Sequence, residues 1–159
     1  MHPRTTATLA NLQEATWFDK VGVQDTEAAI VLTSWSDAVE SCSSQEWQDL
    51  CLEAANRYTE QLFARDPGRF NNWNIVAAEV KQVSVPLVKG KIAEVAQRYS
   101  LSKAFEDCVQ WDIMHLLMEA EYADVFPPGF FASQAYWYVK GHFPCGWSGQ
   151  FPQGKLIIF

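Results

Sequence analysis

Asp112, His115 and Glu119 stand at i, i+3 and i+7 of an apolar-periodic segment, so a helix there carries all three on one side. A carboxylate–histidine–carboxylate stripe is what a divalent metal or a general acid–base pair needs. Carboxylate metal sites in helical bundles draw ligands from several helices and use a second histidine. This chain has three histidines, and His2 lies in the terminal segment. The simpler reading is a histidine held at the edge of the core by a hydrogen bond to Asp112 or Glu119. A small metal-dependent helical enzyme using the three residues is the alternative.

The run "GHFPCGW" (residues 141–147) is the second candidate, because it places a histidine three residues before a cysteine. A nucleophile and its base normally come from distant segments. A zinc site would need a matching second pair, which is missing. A zinc deaminase would need a second cysteine where Ser148 stands, and an H-x-E that the chain does not contain. The run therefore reads as a structural turn. Gly141 stops a helix, Pro144 fixes a turn, Gly146 and Gly149 supply positive φ, and Trp147 plugs a C-terminal cap onto the body of the fold.

A third feature is acid in the wrong place. "EAEYADVFPP" (residues 119–128) crowds Glu119, Glu121 and Asp124 near a helix C-terminus, where the macrodipole is already negative. Charge set against its local preference suggests a role elsewhere, such as meeting a basic group.

The elements that must position these residues read as helices. Leu9, Leu12, Ala15 and Thr16 give a short amphipathic helix ended near Gly22. Asp25 caps a second over "DTEAAIVLTSWSDAVES", although its centre is β-branched enough for a strand. Ser43 and Glu46 form a capping box for a third, with Trp47, Leu50, Cys51, Ala54, Tyr58 and Leu62 on its apolar face. "RDPGR" stops it, and the following helix should break or kink at Pro86. The longest helix, over 102–125, is apolar on two faces and should be central. Pro128 opens another, running to Val139. From residue 141 to 154 the chain is turn chemistry, and "KLIIF" closes it as a strand that needs a partner, either "AIVLTSW" or a second chain. The expected fold is mainly α: an irregular single-domain bundle of about six helices over residues 1–159, with a Pro/Gly-rich C-terminal cap and a short terminal strand.

Composition narrows the function. The 159 residues are 48% hydrophobic and 19% charged, a globular profile, with seven tryptophans and ten phenylalanines. The net charge of −7, with no basic run, argues against nucleic acid. No stretch is apolar enough for a membrane span, and "MHPRTTATLANLQEATW" lacks the apolar core of a secretory signal. Cys42, Cys51, Cys108 and Cys145 contain no C-x-x-C and suit free thiols in a cytoplasmic setting; spacing leaves a Cys42–Cys145 disulfide open. Phosphate-binding loops, dinucleotide fingerprints, nucleophile elbows, H-E-x-x-H and EF-hand loops are all absent, so no cofactor is implied.

"WDIMHLLMEAEYADVFPPGFF" and "YWYVKGHFPCGWSGQFPQGKLIIF", about the last third of the chain, resemble the C-terminal part of small bacterial proteins of the toxin-immunity type. The resemblance implies a cytoplasmic protein that binds and blocks one cognate toxin. The residues themselves lead to a compatible expectation: a non-enzymatic acidic protein that binds a basic protein partner. The contact residues expected are Glu119, Glu121 and Asp124, with Tyr122 or Trp147 as aromatic neighbour. A third possibility is a structural subunit that forms a homodimer through the "KLIIF" strand.

Overall fold

The structure is a computed structural model and describes residues 1–19 and 28–159. Among the described residues it has seven helices and one three-stranded sheet, a mainly α single domain. The chain runs α1 (Pro3–Glu14), β1 (Ala29–Val31), α2 (Trp35–Cys42), α3 (Gln45–Arg65), α4 (Pro67–Phe70), α5 (Trp73–Tyr99), α6 (Lys103–Glu121), α7 (Phe130–Val139), β2 (Pro144–Ser148) and β3 (Lys155–Ile158).

Helix α6 is central, as its two apolar faces require. Phe105, Val109, Ile113, Leu116 and Leu117 are all buried, and α1, α5 and α7 pack around it. On α3, Trp47, Cys51, Tyr58 and Leu62 are buried on the stripe read from the sequence. Its cap is Ser44, not Ser43: the Ser44 hydroxyl accepts from Trp47 N–H. In "SSQE" either serine can cap, and the one that starts the helix a residue later wins. Helix α1 ends at Glu14, well before Gly22, and His2 accepts from Arg4 N–H as its cap. Gly22 and Asp25 lie outside the described residues.

Three further expectations are corrected. Helix α5 runs through Pro86 without ending there. Val80, Ser84, Leu87 and Val88 are buried on either side of the proline, so packing against α6 offsets the missing backbone bond. The helix expected over "AIVLTSW" is a short strand, with α2 starting only after Ser34 caps it. The region after residue 141 is not all turn: Pro144–Ser148 is β2, and proline is tolerated as the first residue of a strand.

The terminal strand does find the cryptic partner. β3 lies in the middle of the sheet, parallel to β1 (Ile30 opposite Ile157) and antiparallel to β2 (Trp147 opposite Leu156). With a neighbour on each side, β3 has no open edge, so the proposed homodimer through this strand has nothing to pair with.

Candidate functional site

The polar stripe on α6 is buried and diverges. Asp112, His115 and Glu119 are 5%, 8% and 3% exposed, and each meets a different element. Asp112 accepts from Tyr138 Oη at 3.3 Å. Burial, with the Cys108 charge nearby, pushes its carboxyl well above the usual range, against the opposing effect of the tyrosine bond. His115 Nδ1 lies 2.5 Å from Tyr58 Oη, and the imidazole stacks on Phe131 beside Trp111. Desolvation lowers His115 to about 4 and raises Tyr58. The imidazole is therefore neutral and Tyr58 keeps its proton, and the two share one hydrogen bond between Oη and Nδ1. Among the described residues no three His, Cys, Asp or Glu side chains are grouped as a metal requires. The metal-dependent alternative built on this stripe is corrected accordingly.

The acids at the end of α6 resolve their own puzzle. Glu119 Oε2 accepts from Gly129 N–H at 3.2 Å and Ala132 N–H at 2.7 Å. The helix α7 has a glycine at its N-cap and no side-chain cap of its own, so a carboxylate from α6 caps it. A Cβ there would lie 2.8 Å from Glu119 Oε1, so any larger residue would have to displace the capping carboxylate. Burial raises the Glu119 carboxyl in spite of these backbone donors. Glu121 does the same for α1, accepting from His2 N–H at 2.8 Å and Thr5 Oγ1 at 2.6 Å. Asp124 pairs with Arg69 at 2.7 Å, and that hydrogen bond lowers its carboxyl. Arg69 also donates to the Glu121 carbonyl and lies over the Tyr122 ring. Acids at the negative end of one helix thus serve the positive ends of two others.

Glu119 and Tyr122, expected as contact residues, are 3% and 1% exposed and present no side chain to a partner. Tyr122 instead stacks on Trp73 with ring centroids 5.6 Å apart. Of the expected set, Asp124 is exposed, Glu121 and Trp147 are partly exposed, and of these three only Trp147 lines a hollow that acids rim.

The "GHFPCGW" run is an elbow and a strand. Gly141 takes φ 85° behind α7, His142 N–H reaches the Trp137 carbonyl, and Phe143 exchanges both backbone bonds with Phe159. Gly146 does not take positive φ. It is glycine because a Cβ would overlap Ser41 Oγ, which donates to the Cys145 carbonyl. His142 and Cys145 are both buried. Cys42 and Cys145 are not disulfide-bonded.

What the sequence did not single out is a groove. Two hollows, about 260 and 580 Å³, share Leu50, Trp147 and Phe151 and run between α3, the α6–α7 turn and the β2–β3 hairpin. The floor is aromatic, with Trp147 and Phe151 in edge contact at 5.0 Å and Trp47 beside them. The larger hollow is rimmed by Asp37, Glu40 and Glu46, all exposed, and no Lys or Arg lines it among the described residues. Glu53 and Arg57 form an ion pair at the smaller hollow. No spacing rule marks this site, since its acids and Trp47 come from α2 and α3 while Trp147 and Phe151 come from the hairpin, about a hundred positions away. The one available signal was the exposed aromatic load beside an acidic balance.

No protein-family model, no curated protein and no solved structure matches this chain.

Proposed function

We propose that the protein is a non-enzymatic binding protein that takes a basic segment of another protein into the groove over Trp47, Trp147 and Phe151, in the manner of an immunity protein occluding a cognate toxin. The observation that carries this reading is the joining of an aromatic floor to three exposed acids with no cation among them. Rigid rings supply contact area at low entropic cost, and acids steer a cationic partner and fix its register. The contact set moves accordingly from the end of α6 to Asp37, Glu40, Glu46 and Trp147. No described helix is long and apolar enough to cross a membrane. Cysteines held as thiols fit the cytoplasmic setting that belongs to the proposal.

The test is capture of the complex from the source cells, native mass spectrometry, and titration of the recovered partner. A basic partner whose affinity falls roughly tenfold or more with Glu40→Lys/Glu46→Lys, and falls with added salt, supports the reading. A partner bound equally well by the folded double variant overturns the groove assignment. A partner whose own activity in cells is unaffected by co-expression overturns the toxin-blocking part.

A further inference from the structure

A third hollow, about 280 Å³, opens on the far side of Trp47 from the groove. Its wall carries three of the four cysteines: Cys42 from the last turn of α2, Cys51 from α3 and Cys108 from α6, with Trp47, Trp111 and the buried Asp112 around them. Three thiols from three helices in one open hollow differ from cysteines scattered through a core as small hydrophobes. Cys108 is partly exposed, whereas Cys42 and Cys51 are buried. The Cys42 S–H donates to the Val39 carbonyl at 3.3 Å, and the Cys42 and Cys108 sulfurs are near enough to shift each other's acidity.

The two thiols are electrically unlike. The neighbouring Cys42 sulfur brings Cys108 down from 9.0 to about 7, against the opposing effects of burial and of Asp107. Cys42 is pushed far up by the Cys108 sulfur and by burial, so it keeps its proton. Cys51 is raised by desolvation and stays a thiol. The accessible sulfur is the more acidic of the two, and a sulfur that holds its proton more tightly lines the same hollow. That is the order of parts in a dithiol that reacts with oxidant and then closes on itself.

We infer that this hollow is a hydroperoxide-reactive site, in which Cys108 takes an oxygen from the oxidant and Cys42 resolves the product as a disulfide. In the first step the Cys108 thiolate attacks the distal oxygen of R–O–O–H. The O–O bond breaks, the alkoxide or hydroxide leaves and takes a proton from water, and the sulfur becomes a sulfenic acid. In the second, the Cys42 sulfur attacks the Cys108 sulfur and the S–O bond breaks. Hydroxide leaves with the Cys42 proton as water. Two thiols are oxidised by two electrons in all, and one hydroperoxide is reduced to an alcohol, or water, plus water. The reaction needs no metal and is independent of the partner groove.

The experiment treats the reduced full-length chain with hydrogen peroxide at neutral pH and maps the products by peptide mass spectrometry. The expected product is a Cys42–Cys108 disulfide. Cys42→Ser should stop at a Cys108 sulfenic acid trapped by dimedone, Cys108→Ser should lose peroxide consumption roughly tenfold or more, and Cys51→Ala should change neither. A wild-type reading guards against variants that fail to fold: the rate of iodoacetamide labelling at Cys108 should rise with pH around a midpoint near 7 rather than 9. Oxidation that joins another pair of cysteines, a first adduct on Cys51, or Cys42 and Cys108 recovered as thiols would each overturn the assignment.

Discussion

Two acidic regions of this molecule look alike in composition and differ in use. At the end of α6, Glu119, Glu121 and Asp124 each have an internal partner: the N-terminus of α7, the N-terminus of α1, and Arg69. Around the larger hollow, Asp37, Glu40 and Glu46 are exposed and take part in no ion pair among the described residues. Acid that violates a local helix rule at the end of α6 was satisfied by tertiary structure, whereas the groove acids, Asp37 and Glu46 in first turns and Glu40 in a last turn, were left facing solvent. Local frustration in a sequence therefore identifies a structural joint as readily as a binding site.

The comparison predicts opposite responses to mutation, and Glu119 should give the largest effect. Glu119→Ala strands the Gly129 and Ala132 N–H groups and leaves a void, for about 4 kcal/mol of lost stability. Glu119→Gln should cost far less, because both donors share one oxygen that the amide retains. Chemical denaturation of the two variants sharpens the assignment, and equal losses would show that volume rather than capping is what Glu119 supplies.

Next in size is a pH effect at His115. Its folded pKa, about 4, lies below the ordinary 6.5, so the unfolded chain takes up a proton that the folded chain refuses. The stability tied to a neutral His115 is complete above pH 6.5 and is lost as pH falls toward about 4. At about 1.4 kcal/mol per pH unit the loss reaches roughly 3 kcal/mol. Asp112 and Glu119, whose pKa values are raised, act in the other sense, gaining stability on acidification. The measurement is therefore the difference between wild type and His115→Gln, which can still accept from Tyr58. That difference should shrink on acidification, and a flat difference would mean that the imidazole is solvated.

How much of this was legible follows from the range of each interaction. The stripe on α3 and the two-faced α6 are repeats within one element, and periodicity found them, whereas Pro128 marked the start of α7 two residues before its first residue, Phe130. β1 is only three residues long and is held by β3 from the other end of the chain, so helix propensity around it gave the wrong answer. The helix does not break at Pro86 because burial on both sides of it competes with the local breaking rule. The residue types of the site were noticed, Trp147 among them. Asp37 and Glu46 obey local rules, however, and no spacing in one sequence reports that α2 and the β2–β3 hairpin meet.

Arg69 joins the two kinds of behaviour at intermediate size. It pairs with Asp124, caps the Glu121 carbonyl and lies 4.9 Å from the Tyr122 ring centre. Because it is partly exposed, Arg69→Ala should cost about 1–2 kcal/mol. Arg69→Lys should recover only part, since one ammonium cannot make the forked contact and stack as well. Full recovery by lysine in thermal melts would reduce the joint to simple charge.

The smallest effect on stability should come from the groove acids, and that smallness is what makes them testable as a binding surface. Glu40 lies in the last turn of α2, where a lysine suits the macrodipole better, so Glu40→Lys should stabilise by about 0.3–1 kcal/mol. Glu46 lies in the first turn of α3, where its own charge is favourable, so Glu46→Lys should cost a similar amount. The double variant should then melt within about 0.5 kcal/mol of wild type, the range of ordinary surface changes. Any fall in its affinity for a basic partner would accordingly report the groove rather than the fold. A double variant that unfolds well below wild type would show that these acids, like those at the end of α6, are internally engaged, and the contrast between the two regions would disappear.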